Sequence, residues 1–162
     1  MQIRPIERRD AEPTRAIYNA AVESDAANLD HLTRTIEGHL EWIDAHFGSH
    51  PGLVAEGDDG TILGFTSVSP YQVRTGYTTT VESSIYVRED QRGMGIGRSL
   101  LDALCRLATD MGFHTIIARI MADNEQSRAL HRAAGFVEVG TEREVGRKRG
   151  RWFDVVIMQR ML

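Results

Sequence analysis

The 162-residue chain has one cysteine, four prolines, few aromatics and no apolar run long enough to cross a membrane. With Cys105 alone, no internal disulfide can form, which suits a reducing, cytoplasmic setting. The opening Met1-Gln2-Ile3-Arg4-Pro5 has no apolar core of a secretory leader, and no membrane association is expected. Basic excess is missing too. Nineteen Lys and Arg against 23 Asp and Glu leave a net charge of −4, which disfavours gripping nucleic acid through its phosphates. The basic run Arg147-Lys148-Arg149-Gly150-Arg151 falls at an expected hairpin tip, where a solvated tip, a cofactor-phosphate contact or a subunit contact is the simpler reading. His31, His39, His46 and His50 gather near one helix but lack His-Glu-x-x-His, and no cysteine joins them, so no metal is expected. What the chain does have is 41% hydrophobic and 26% charged residues, the make-up of one globular domain over residues 1–162. No repeat, linker or low-complexity segment interrupts it.

Periodicity and turn residues place the elements. Met1–Pro5 reads as an edge strand. Arg9–Glu23 reads as a helix with Asp10 at its N-cap. Ser24–Leu32 is a polar loop and Thr33–Phe47 a second helix. Leu53–Glu56 and Ile62–Ser69 are paired strands around Gly57-Asp58-Asp59-Gly60. Pro70–Thr75 is a loop and Tyr77–Arg88 a long strand. Ser99–Met111 is a helix stopped by Gly112, Thr115–Met121 a strand, and Asn124–Ala134 a helix stopped by Gly135. Phe136–Arg147 and Arg151–Met161 close the chain as a hairpin. The order β-α-α-β-β-β-α-β-α-β-β specifies an α/β fold: a central mixed β-sheet flanked by helices on both faces.

Gly93-Met94-Gly95-Ile96-Gly97 stands between the long strand and the third helix. Glycines let a backbone approach an anion closely, and the free N–H groups and dipole of a helix start attract it. The dinucleotide fingerprint Gly-x-Gly-x-x-Gly is absent, as is the Walker Gly-Lys-Ser/Thr ending. What remains, Arg92-x-x-Gly95-x-Gly97, is either a ligand-free tight turn or a phosphate cradle. It resembles the acetyl-CoA pyrophosphate loop of the GCN5-related N-acetyltransferases (GNAT superfamily), whose element order this chain shares. Asn124-x-x-Ser127-x-x-Leu130-His131-x-x-x-Gly135-Phe136 resembles a second stretch of that superfamily, which contacts the CoA arm. Narrower features resemble the phosphinothricin and methionine sulfoximine N-acetyltransferases: Ile17-Tyr18-Asn19, Arg74-x-x-Tyr77, Thr80-Val81-Glu82-Ser83-Ser84-Ile85-Tyr86-Val87, Leu130-His131, and Val145-Gly146-Arg147-Lys148-x-Gly150-x-Trp152-x-Asp154-Val155.

The resemblance implies acetyl transfer from acetyl-CoA, without a metal, to the amino group of a small amino-acid-like substrate. It implies a cofactor site made from Ile85, Tyr86, Val87, Arg92, Gly93, Met94, Gly95, Ile96, Gly97, Arg98, Ser99, Asn124, Ser127 and His131. Substrate would meet Leu29, Arg74, Tyr77, Thr80 and Glu82. An α-amine has a pKa near 8, so a modest base suffices to free its lone pair. On the residues alone Glu82 is either that base or a surface carboxylate; the resemblance implies the base. A backbone N–H of Tyr86 or Val87 would meet developing negative charge. His131 stands where many relatives offer a tyrosine, either as proton donor to the departing thiolate or as a packed helix histidine. Arg74 and Tyr77 are either solvated loop residues or, as the resemblance implies, partners of a substrate carboxylate. Leu29 replaces an aromatic residue common in relatives. Relatives are commonly homodimers. The rival functions are acetylation of a protein N-terminus or lysine, and a non-catalytic CoA-binding module.

Overall fold

The computed structural model describes residues 1–24 and 27–162. The expected polar loop from Ser24 therefore includes two residues, 25 and 26, that lie outside the described residues. Seven strands form one sheet: β1 (Gln2–Pro5), β2 (Gly52–Glu56), β3 (Ile62–Pro70), β4 (Thr80–Val87), β5 (Thr115–Met121), β6 (Val137–Lys148) and β7 (Arg151–Met161). Their spatial order is β1-β2-β3-β4-β5-β7-β6. All neighbours are antiparallel except β4 and β5. That parallel pair needs a crossover, which helix α3 (Ile96–Asp110) supplies.

Alternation along the strands sends apolar side chains to both faces. Leu53, Ala55, Val81, Ile116, Ala118 and Met158 meet Leu100, Leu101 and Leu104 of α3. Val54 and Phe65 on the other face meet Ile17, Tyr18 and Val22 of α1 (Ala11–Glu23) and Ile43 of α2 (Ile36–Ala45). Helix α4 (Glu125–Ala133) lies beside α3 and β6. The mixed sheet with helices on both faces is thus the observed architecture.

The boundaries differ from expectation in instructive ways. Helix α2 starts at Ile36 because Thr35 caps it, its hydroxyl accepting from Gly38 N–H at 3.1 Å. Tyr77 belongs to a 3₁₀ turn, Thr75–Tyr77, so β4 begins only at Thr80. Asp10 precedes α1 without capping it through its side chain. Its carboxylate accepts instead from Glu7 N–H and from both terminal nitrogens of Arg4. Helix α3 begins three residues earlier than expected, so Gly97 and Arg98 lie in its first turn.

Candidate active site

The β4–β5 ladder ends at Ser83↔Ala118, yet β4 runs on to Val87 and β5 to Met121. The two strands part and leave a wedge. Arg88 N–H bonds Leu63 C=O next to the Gly64↔Val87 pair. Alternation then turns the backbone groups of Ser84 and Tyr86 towards β3, and those of Ile85 and Val87 towards β5. Past the end of the ladder these last groups have no strand partner. Of the two expected donors, Val87 N–H faces the wedge and Tyr86 N–H does not.

Two cavities adjoin at this wedge, both lined by Ala27, Ile85, Tyr86, Asn124 and Ser127. The larger, about 570 Å³, carries the glycine loop: Arg92, Gly93, Gly95, Gly97 and Arg98 line it. Gly95 is the N-cap of α3 with φ +82°, a conformation that costs glycine little. A Cβ on Gly93 or Gly95 would meet nothing within 4 Å, so bareness there leaves open room. Ser99 is the first residue whose N–H bonds back, to Gly95 C=O at 3.0 Å. Among the described residues the N–H groups of Gly95, Ile96, Gly97 and Arg98 have no acceptor. Four bare donors at the start of a fifteen-residue helix fit a diphosphate. Asn124 caps α4, its side chain accepting from Ser127 N–H at 3.0 Å.

The smaller cavity, about 280 Å³, holds Glu82, His131, Leu29, Asn28, Arg119 and Val145. Glu82 and Tyr86 share the face of β4 away from α3. Burial pushes the Glu82 carboxyl above the usual range; Arg119 opposes the shift and Glu142 adds to it. His131, 2% exposed, has Nδ1 2.8 Å from Ser127 C=O. A carbonyl only accepts, so Nδ1 carries the proton, and burial holds the ring below its ordinary pKa. The neutral ring offers a lone pair at Nε2 and no proton there. Of the two roles open from the sequence, proton donor to a thiolate or packed helix histidine, the ring is packed, and in this state its Nε2 accepts rather than donates.

The acetyltransferase (GNAT) domain profile matches residues 3–157. The chain belongs to the GNAT acetyltransferases. An L-methionine sulfoximine/L-methionine sulfone acetyltransferase of Pseudomonas paraeruginosa is 40% identical over 145 residues, 89% of this chain and 84% of that protein. The crystal structure of a ribosomal-protein-alanine N-acetyltransferase from Brucella melitensis matches with TM-score 0.96 at 39% identity, over the whole of both chains. A phosphinothricin acetyltransferase from Sinorhizobium meliloti, in complex with AcCoA, matches with TM-score 0.95 at 33% identity, over 99% of this chain and 88% of that one.

Within this acetyltransferase, most of the expected cofactor residues line the larger cavity. Met94, Ile96, Ser99 and His131 do not. The Ile96 side chain is core, leaving only its backbone N–H for a ligand. His131 lines the smaller cavity instead, with Leu29 and Glu82. Arg74, Tyr77 and Thr80 line neither. Arg74 and Tyr77 are exposed because the short turn that carries them projects from the sheet before β4 begins.

The basic hairpin tip is not a simple solvated tip. Lys148 is 3% exposed, its Nζ donating to Ser24 C=O at 2.7 Å and Asn28 C=O at 3.0 Å. Arg149 donates to Glu23 C=O. A Cβ on Gly146 would lie 2.2 Å from Leu29 Cδ1, so Leu29 is seated on that glycine. The Tyr18 hydroxyl donates to Asp30, and Asn19 exchanges two bonds with the Arg34 backbone. Both ends of the Leu29 segment are therefore fastened. His39 and His46 are buried around Trp42: His39 bonds Thr14, and His46 bonds the Trp42 carbonyl and Ser69. Among the described residues no group of three or more His, Cys, Asp or Glu is placed to hold a metal. No helix there is long and apolar enough to cross a membrane.

The sequence reading missed Arg119, Asn28 and Val145. Arg119 had a usable signal: it is the one charge inside the otherwise apolar run Thr115–Met121.

Proposed function

We propose that this enzyme transfers the acetyl group of acetyl-CoA to the amino group of a small amino-acid-like substrate of the phosphinothricin or methionine sulfoximine kind. The observation that carries the reading is the meeting of two cavities at the β4–β5 wedge, one with bare helix-start donors, the other with a half-buried glutamate. Acetyl-CoA, when bound, supplies an activated acetyl thioester. The N–H groups at the start of α3, with Arg92 and the glycine loop, hold its diphosphate, and Asn124 and Ser127 border its arm. Val87 N–H, facing the wedge, donates to the acetyl oxygen. Glu82 accepts the amine proton, directly or through one water, and its upward-shifted pKa suits that work. His131 Nε2 adds a second acceptor in the same cavity.

Arg74 and Tyr77 line neither cavity of their own chain; in this reading a second copy brings them to the substrate. A homodimer is accordingly part of this reading, and the single cysteine suits the reducing cytoplasm as its setting. The Brucella melitensis relative's name favours a second reading, acetylation of a protein N-terminus. The 280 Å³ volume of the smaller cavity, with Leu29 seated over one side, fits a free amino acid better than a peptide.

The test is release of CoA thiol with phosphinothricin, methionine sulfoximine, the twenty amino acids and an N-terminal-alanine peptide offered singly. Saturable release with an amino acid supports the reading. Release with the peptide alone replaces it with the second. Glu82→Gln should lower kcat by roughly 10²–10⁴-fold with little change in CoA affinity. Because a base works only when ionised, the wild-type rate falls as pH drops through the raised Glu82 pKa. The variant loses that limb. An unchanged kcat removes Glu82 from the role.

A further inference from the structure

Arg119 is the only Lys or Arg lining the smaller cavity among the described residues. Ala118 and Ile120 enter the core beside α3, so strand alternation turns Arg119 to the opposite face, the one that carries Glu82. Glu82 pairs in register with Ile117. Arg119 is two residues further on, about 7 Å along the strand, just where β4 and β5 have parted.

Its guanidinium is held but not used up. Nη2 donates to Glu142, across a pair whose side chains remain 35% and 40% exposed. Nε and Nη1 have no hydrogen-bond acceptor among the described residues. In the same cavity, Asn28 Oδ1 accepts from Asp30 N–H, and its amide lies against the Tyr86 hydroxyl and opposes the upward push that burial gives that group. The cavity thus presents a carboxylate, Glu82, at one place and the remaining N–H groups of the Arg119 guanidinium at another. An amino acid is a zwitterion, with an ammonium for the first and an acid for the second. A neutral amine satisfies only Glu82 and leaves the guanidinium unmatched. Glu142 anchors the far side of the guanidinium, and a planar fork held in that way still has N–H groups for a second, bidentate acceptor.

We propose that Arg119 is a specificity-determining residue that pairs with the acidic group of the amine substrate, selecting amines that carry a carboxylate, phosphinate or sulfonate over neutral ones. The proposal rests on the amine-acetylating activity above. It concerns which amine is chosen, not whether acetyl is transferred.

The experiment compares wild type, Arg119→Ala and Arg119→Lys by thiol release with methionine sulfone, its carboxamide and phosphinothricin. Wild type should prefer the acid to the carboxamide. Arg119→Ala should cut that preference by roughly 10- to 100-fold, the worth of a lost hydrogen bond to a charged group. The loss should appear in the KM of the amine, with the KM of acetyl-CoA unmoved. Arg119→Lys, which keeps the charge but not the fork, should restore part of it. Equal losses for methionine sulfone and phosphinothricin assign Arg119 to the α-carboxylate; a larger loss for phosphinothricin assigns it to the side-chain acid. An unchanged preference in both variants, with wild type active, overturns the Arg119 proposal and leaves the activity standing. A wild type silent towards every amine overturns both.

Discussion

Replacing Lys148 by methionine tests how the hairpin tip fastens the loop that lines the smaller cavity. Methionine keeps most of the aliphatic stem and removes the ammonium that bonds Ser24 and Asn28 carbonyls at 2.7 and 3.0 Å. Hydrogen bonds from a charged donor contribute about 1.5–3 kcal/mol each, so the pair is worth about 3–6 kcal/mol gross. Against this stands the cost of dehydrating a buried ammonium, several kcal/mol, which the variant no longer bears. The freed carbonyls belong to a half-buried loop and can rehydrate. The net loss is therefore about 1–3 kcal/mol, or a fall in Tm of roughly 3–10 °C for a chain of this length. Part of that loss should reappear at the active site, because Asn28 adjoins Leu29 and both line the smaller cavity. If ordering the loop is then left to substrate binding, each 1.4 kcal/mol raises the KM of the amine about tenfold. The assay is thiol release across amine concentrations, beside thermal unfolding, for wild type, Lys148→Met and Lys148→Arg. An amine KM within twofold of wild type, together with a lowered Tm, would refute the coupling and leave Lys148 a structural residue only.

Two further outcomes test the scaffold. A Cβ on Gly64 would lie 2.7 Å from the Tyr86 carbonyl oxygen and 3.2 Å from Val87 Cα, both backbone atoms of β4. Gly64→Ala should therefore cost about 1–3 kcal/mol or more in urea unfolding, and it should weaken acetyl-CoA binding by displacing β4 beside the wedge; unchanged values would show that β3 and β4 yield easily. Asp10 is held below the usual carboxylate range: burial would raise it, but the Arg4 hydrogen bonds, the Glu7 N–H and the Arg4 charge together outweigh burial. Its contribution is complete above the unfolded pKa near 4 and disappears as pH falls through the lower folded value. Asp10→Asn should lower stability at pH 7 by about 3 kcal/mol, the low end for a broken buried pair because Arg4 keeps Glu56. The difference from wild type should shrink towards pH 2, and a pH-independent difference would refute the linkage.

The order of elements was legible because it rests on local rules. Hydrophobic period, turn glycines and the glycine stops after the third and fourth helices each act within a few residues. The glycine loop with its bare helix-start donors was legible for the same reason, since a strand, a loop and a helix start are contiguous in the chain. Glu82 could be named from Thr80-Val81-Glu82-Ser83-Ser84, although its half-burial could not. The wedge was not legible, because it arises where two strands stop pairing whose last partners, Ser83 and Ala118, lie 35 residues apart in sequence. Arg119 and Lys148 follow from such distances. Arg119 acquires a role only when β5 lies beside Glu82. Lys148 is buried only because a hairpin tip more than 100 residues away folds against the loop after α1. His131 could be read either as a proton donor or as a packed helix histidine; its burial depends on the fold, whereas its Nδ1 contact to Ser127 C=O, one helical turn back, is local. The sequence by itself determined the order of the elements, the glycine loop and the family, which rest on runs of neighbouring residues. The tertiary structure alone decided which N–H groups stayed unpaired, which charges met, and that Arg74 and Tyr77 stand apart from the cavities, because burial and pairing depend on the surroundings that distant segments supply.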